Sequence, residues 1–170
     1  MSSVINNYHE ELNMYRNRKA HAINLARIEE LVNTAESVIE NQGNISVAVK
    51  QLKKAIRIYD KLSNNDNKFF DKAVRILNAK SVSRLSHEKD GEALYMLRQA
   101  EGLIRGRPTY DQWDIISSIY NNMSLGLRKH SFLDLALDYL QKAQGVNFRH
   151  SLKTGLTDLN VATLFSMMGQ

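Results

Sequence analysis

From residue 4 to residue 41 the chain contains neither glycine nor proline, and its apolar residues recur at steps of three and four. Val4, Ile5, Tyr8, Leu12 and Tyr15 form one stripe. Ile23, Ala26, Ile28, Leu31, Val32, Ala35, Val38 and Ile39 form another. This spacing predicts helix, read either as one segment or as two. The polar cluster Tyr15-Arg16-Asn17-Arg18-Lys19 is where a break is expected. The helix should stop at Asn41-Gln42-Gly43, with Gly43 taking the left-handed cap conformation. A second helix spans 45–62, with Val47, Ala48, Val49, Leu52, Ala55, Ile56 and Tyr59 on its apolar face. Ser63-Asn64-Asn65-Asp66-Asn67 reads as a loop.

Helices follow over about 69–85 and 92–104, separated by the turn His87-Glu88-Lys89-Asp90-Gly91. Gly106-Arg107-Pro108 breaks the chain. Thr109 with Gln112 forms a capping-box pattern, so a helix is expected from 109 to 129. Ser131 with Asp134 opens another over 132–144, closed by Gly145, and a last helix covers 155–168. The pattern is all-α, about eight helices with no strand. The short connections imply antiparallel neighbours.

Pieces of this pattern recur. Asn41-Gln42-Gly43, Lys129-His130-Ser131 and Met167-Met168-Gly169 align as three equivalent turns. Before them stand Ala35 and Glu36, Met123 and Ser124, Val161 and Ala162, followed three residues on by Ile39, Leu127 and Phe165. After a turn comes the triplet Ala48, Leu52, Ala55, repeated as Ala93, Leu97, Ala100 and as Ala136, Leu140, Ala143. These features resemble the tetratricopeptide repeat (TPR), in which small residues let paired helices approach closely. The resemblance covers about 140 residues and departs from the family in several places. Glu36 stands at a small-residue slot, Asp60 and Phe148 replace the closing proline, and the alanines recur after 45 and 43 residues (48→93→136) instead of 34. In the second unit either Lys80 or Asn78 falls at the small slot. The fold implied is a right-handed α-solenoid of antiparallel helix hairpins. It would comprise a lead-in or cap at 1–28, units at about 29–62, 63–107 and 108–148, and a half-unit at 149–170. An unrelated helical bundle is the competing reading.

Composition narrows the function classes. The charge is +5, from 23 basic and 18 acidic residues, with the excess concentrated mildly in residues 61–110. A nucleic-acid surface would gather it into one stripe, so the run Lys50, Lys53, Lys54, Arg57 reads as a solvated helix face. Without cysteine there is no disulfide or thiolate chemistry, and a reducing, cytoplasmic setting is expected. No membrane span or signal-peptide pattern is visible. His9, His21, His87, His130 and His150 are far apart, so no metal site is expected, nor any cofactor. Phosphate-cradling and nucleophile-elbow motifs do not occur, and catalytic residues are expected to be none.

The resemblance implies that the first helix of each pair lines a concave groove holding a peptide. Asn122 and Asn160 would face it, joined by Asn78 in one register and Thr34 in the first unit. Asparagine both donates and accepts, which suits pairing with a peptide backbone. Asn121, Leu125, Arg128 and Lys129 flank them, with Leu159, Thr163 and Ser166 from the last helix, Arg84 from the second unit, and Asn33, Ser37 and Glu40 from the first. Arg128 and Arg84 favour an acidic or phosphorylated ligand. Asn33 and Ser37 without a lysine argue against a chaperone-tail clamp. Tyr110 and Trp113 read as packing against the preceding hairpin. Leu164, Phe165 and Met168 form an unburied face at the end, expected of a fragment of a longer array, a cap, or a docking or self-association surface. The leading function is a protein-interaction scaffold. An RNA-binding helical repeat and an end-to-end assembly component are the alternatives.

Overall fold

The computed structural model describes residues 2–62 and 66–169, the side chains of 2–9 excepted. The stripe positions Val4, Ile5 and Tyr8, the histidine His9 and the loop residues Ser63, Asn64 and Asn65 therefore lie outside the described side chains. Seven α-helices make up the described residues: α1 (Ser2–Glu40), α2 (Ile45–Leu62), α3 (Lys68–Ser86), α4 (Asp90–Arg105), α5 (Trp113–Lys129), α6 (Leu133–Arg149) and α7 (Gly155–Met168). The count is seven and not eight because α1 runs unbroken through Tyr15–Lys19. Arginine and lysine are good helix formers, and a polar cluster without glycine or proline does not interrupt the hydrogen-bond ladder. Two compact units divide the chain between Phe69 and Phe70. In the first, α1 packs on α2. In the second, α4 packs on α5, α5 on α6, and α7 on both α6 and α5.

The turns corrected the expected register. After α1, α3, α5 and α6 the left-handed residues are Gln42, Glu88, Ser131 and Ser151, with φ between 52° and 62°. Each is followed by an N–H that reaches back five residues: Gly43 to Val38, Lys89 to Arg84, Phe132 to Leu127 and Leu152 to Asn147. This is the Schellman geometry, closed four times by residues other than glycine. Gly43 serves a different need: a Cβ there would lie 3.0 Å from the Val38 carbonyl oxygen.

Counting back seven residues from the left-handed position after each first helix gives Ala35, Ser81 and Ser124, all buried. Small residues therefore occupy the slot in all three units. Glu36 does not stand there in the first unit, nor Lys80 or Asn78 in the second. The alanine–leucine–alanine triplets of α2, α4 and α6 are each at most 1% exposed. Burying a leucine contributes roughly 1.5–3 kcal/mol, whereas the alanines act by letting helix backbones approach.

Two expected caps do not form. α5 starts at Trp113 and not at Thr109, with Gln112 at the N-cap and no side-chain capping bond. The intervening Tyr110 is drawn inward, its ring 5.0 Å edge-on from Phe70 and its hydroxyl donating to Asp71 at 2.6 Å. Burial and that carboxylate push the phenol far above its ordinary pKa. Likewise α6 passes through Gly145 to Arg149, with Phe132 at its N-cap and Ser131 making the left-handed turn. A glycine costs only about 1 kcal/mol inside a helix that packing holds. Gly91, expected in the turn, lies in the first turn of α4.

Candidate functional site

The expected ligand-facing asparagines lie on α3, α5 and α7, and the structure ties them to one another. Asn122 Nδ2 donates to Asn78 Oδ1 at 2.9 Å, and Asn160 Nδ2 donates to Asn121 Oδ1 at 3.0 Å. The two rungs are equivalent in register. Asn78 and Asn121 each sit three residues before the small slot, at Ser81 and Ser124, and Asn122 and Asn160 each sit two residues before Ser124 and Ala162. α5 is thereby joined to α3 on one side and α7 on the other.

Asn121 is the most engaged of the four. Its Nδ2 donates to the Ser117 carbonyl and to Thr157 Oγ1, both at 3.0 Å. Since the Ser117 carbonyl only accepts, the Asn121 amide is oriented, and Asn160 must present its own N–H to it. Ser117 Oγ donates to Asn147 Oδ1 at 2.6 Å, and Asn147 Nδ2 donates to Thr157 Oγ1 at 2.9 Å. Ser117, Asn121, Asn147 and Thr157 are all buried. They floor a cavity of about 330 Å³ rimmed by Asp114 and Lys153. The sequence reading singled out neither Asn147 nor Thr157. Their period relative to the asparagine stripe is hidden because Asn147 comes from the end of a second helix.

The basic residues separate into two kinds. Arg84 is 8% exposed and its Nε lies 3.0 Å from Glu92 Oε2, so its charge is neutralised inside the α3–α4 hairpin. Lys129 reaches the Leu85 carbonyl at the end of α3 and pairs with Asp90 at 3.2 Å. It therefore ties the α3–α4 turn to the end of α5, where a cation also suits the helix dipole. Arg128 is half-buried and has no ion-pair partner among the described residues. Leu125 is half-buried beside it, and Thr163 is exposed, its hydroxyl donating to the Leu159 carbonyl at 2.8 Å.

Asn122 and Asn160 are half-exposed, and neither side-chain Oδ1 accepts a hydrogen bond from a described residue. The face of α3, α5 and α7 thus carries two oriented amide acceptors, a cation at Arg128, and apolar contacts at Leu125 and Leu159. Asn33 is exposed in the first unit, and the position equivalent to Asn121 is the buried Val32.

The two aromatic residues part company. Tyr110 packs on α3, as anticipated. Trp113 instead stacks on His150 at the end of α6, ring centroids 3.9 Å apart and planes within 7°. Leu164, expected to be bare, is fully buried. The exposed apolar residues at this end are Phe148, Leu156, Leu159, Phe165 and Met167. No cluster of metal-ligating side chains occurs among the described residues, and none of their helices is long and apolar enough to cross a membrane. No protein-family model, curated protein or solved structure shows significant similarity to the chain.

Proposed function

We propose that the chain is a non-enzymatic protein-interaction scaffold of TPR-like hairpins stacked as a right-handed solenoid, cytoplasmic in setting. The first helix of each pair would line the face that takes a peptide in extended form. The observation carrying this reading is the amide rung repeated between alternate helices, α3 to α5 and α5 to α7, each leaving one carbonyl oxygen without a donor. Alternate helices lying side by side is what stacked hairpins require. Two oriented acceptors suit the N–H groups of an extended backbone, which recur at alternate residues along one edge. Arg128 adds a preference for an acidic or phosphorylated side chain. The apolar residues of α7 extend the same surface, and they favour an assembly contact as a second reading.

The test is selection from a random peptide library on the full chain, followed by affinity measurement against variants. Asn122→Ala with Asn160→Ala should weaken selected peptides by about 10- to 100-fold. Arg128→Glu should weaken acidic peptides by about tenfold and leave neutral ones unchanged. The melting temperature of each variant separates lost contacts from lost fold. Binders unaffected by all three substitutions would place the peptide elsewhere. Failure to select any peptide, together with binding of RNA whose affinity falls steeply in salt, would favour the RNA reading.

A further inference from the structure

Two hydroxyl protons in the cavity beside α5 find no acceptor among the described residues. Thr157 Oγ1 accepts from Asn121 Nδ2 at 3.0 Å and from Asn147 Nδ2 at 2.9 Å. A hydroxyl has two lone pairs and one proton, so its acceptor capacity is filled and its own proton is left over. Turning the Asn147 amide over only moves the surplus. Thr157 would then donate to Asn147, but Ser117 would receive a bond in place of making one, leaving the Ser117 proton over instead. Ser117 is 6% exposed and Thr157 2%, and both line the cavity. A polar group so deeply buried normally has a partner. Ser118 Oγ, on the same wall, accepts from Asn78 Nδ2 at 3.0 Å, and its proton is the second one without an acceptor.

The rim carries charge of both signs, and the two do not pair with each other. Asp114 Oδ2 lies 3.6 Å from Arg75, which leaves Asp114 Oδ1 open among the described residues. Lys153 is exposed and forms no ion pair with them. Leu152 and Leu156 supply the apolar part of the wall.

We propose that this cavity binds a free α-amino acid with an apolar side chain. The carboxylate accepts from Thr157 or Ser117 and from Ser118, and Lys153 balances its charge. Thr157 stands in the first turn of α7, an end that also favours negative charge. The ammonium donates to Asp114 Oδ1, and the side chain rests on Leu152 and Leu156. A simple anion would meet Asp114 and a simple cation would meet Lys153, whereas a zwitterion suits both. At about 330 Å³ the cavity lies at the small end of ligand pockets, in keeping with one amino acid. The proposal does not require the peptide reading, with which it shares only Asn121.

Titration of the full chain with L-alanine, L-valine, L-leucine, L-methionine and L-phenylalanine, followed by heteronuclear NMR, tests this. At least one should bind saturably and shift the side-chain amide signals of Asn121 and Asn147 with a common midpoint. Its N-acetyl derivative lacks the ammonium and its carboxamide lacks the carboxylate, so each should bind more weakly by about tenfold. Lys153→Gln should weaken the amino acid more than its carboxamide, and Asp114→Asn should weaken it more than its N-acetyl derivative. Both substitutions fall at exposed positions, and circular dichroism checks that the fold is kept. No saturable binding by any probe at millimolar concentration, derivatives that bind as well as the parent, or wild-type affinity in both variants overturns the proposal.

Discussion

The α1–α2 and α5–α6 hairpins are built to the same local plan and filled differently. Both close on a left-handed residue, Gln42 or Ser131, and both bury a small residue seven positions earlier, Ala35 or Ser124. Each follows with a fully packed alanine–leucine–alanine triplet. At the rung positions they diverge, with Val32 and Asn33 in the first and Asn121 and Asn122 in the second. The turn, the small slot and the packed triplet are therefore what the two hairpins share. The paired amides are an addition, made between α3 and α5 and between α5 and α7.

The comparison is broken most severely at the shared core. Leu52→Ala and Leu140→Ala should each cost about 2–5 kcal/mol in urea denaturation, followed by circular dichroism. Similar losses would mark the hairpins as energetically alike, and a much smaller loss at Leu52 would show the first to be loosely packed. Next comes the difference itself. Asn121→Ala strands the amide of Asn160 and loses two bonds to Ser117 and Thr157, for an expected cost of about 1–3 kcal/mol. Asn33→Ala, at an exposed site, should change stability by less than about 0.5 kcal/mol. The turns should respond in parallel: Gln42→Gly and Ser131→Gly each relieve a left-handed side chain and should stabilise by about 0.5–1 kcal/mol in the same assay.

The smallest effect is confined to the second unit and to alkaline pH. Burial, and then the hydrogen bond to Glu101 at 3.0 Å, push the Tyr139 phenol up from 10.0 to about 12. A phenol that holds its proton more tightly when folded contributes stability that is whole below the unfolded pKa. That contribution is lost as pH rises from about 10 through about 12. Tyr139→Phe should flatten the decline in melting temperature across this window while lowering stability slightly at neutral pH.

Helix identity was legible because periodicity over three or four turns outweighs local noise, and the triplets of α2, α4 and α6 were readable as a packed seam. The register of the turns was not. A search for glycine points to Gly43, yet the left-handed conformation falls on Gln42, and no side-chain type distinguishes Gln42, Glu88, Ser131 and Ser151 from ordinary turn residues. That single-residue shift made Glu36 look misplaced and left the second unit in two registers. Thr109 satisfied a capping pattern that the burial of Tyr110 overrode, a tertiary effect invisible in a four-residue window. The sequence grouped Asn122 with Asn160 on one stripe. It could not reveal that each would donate to the preceding first helix, since that depends on which residues Asn78 and Asn121 offer there. Arg84 looked like a ligand anchor because Glu92, its partner across the turn, lies on a different helix.

The stack of Trp113 on His150 joins the start of α5 to the end of α6. Trp113 is the only tryptophan in the chain. Its fluorescence is therefore an optical label already in place at one joint of the second unit, blind to α1 and α2. Following its emission beside the helical signal of the whole chain would reveal whether the two compact units melt together or one after the other.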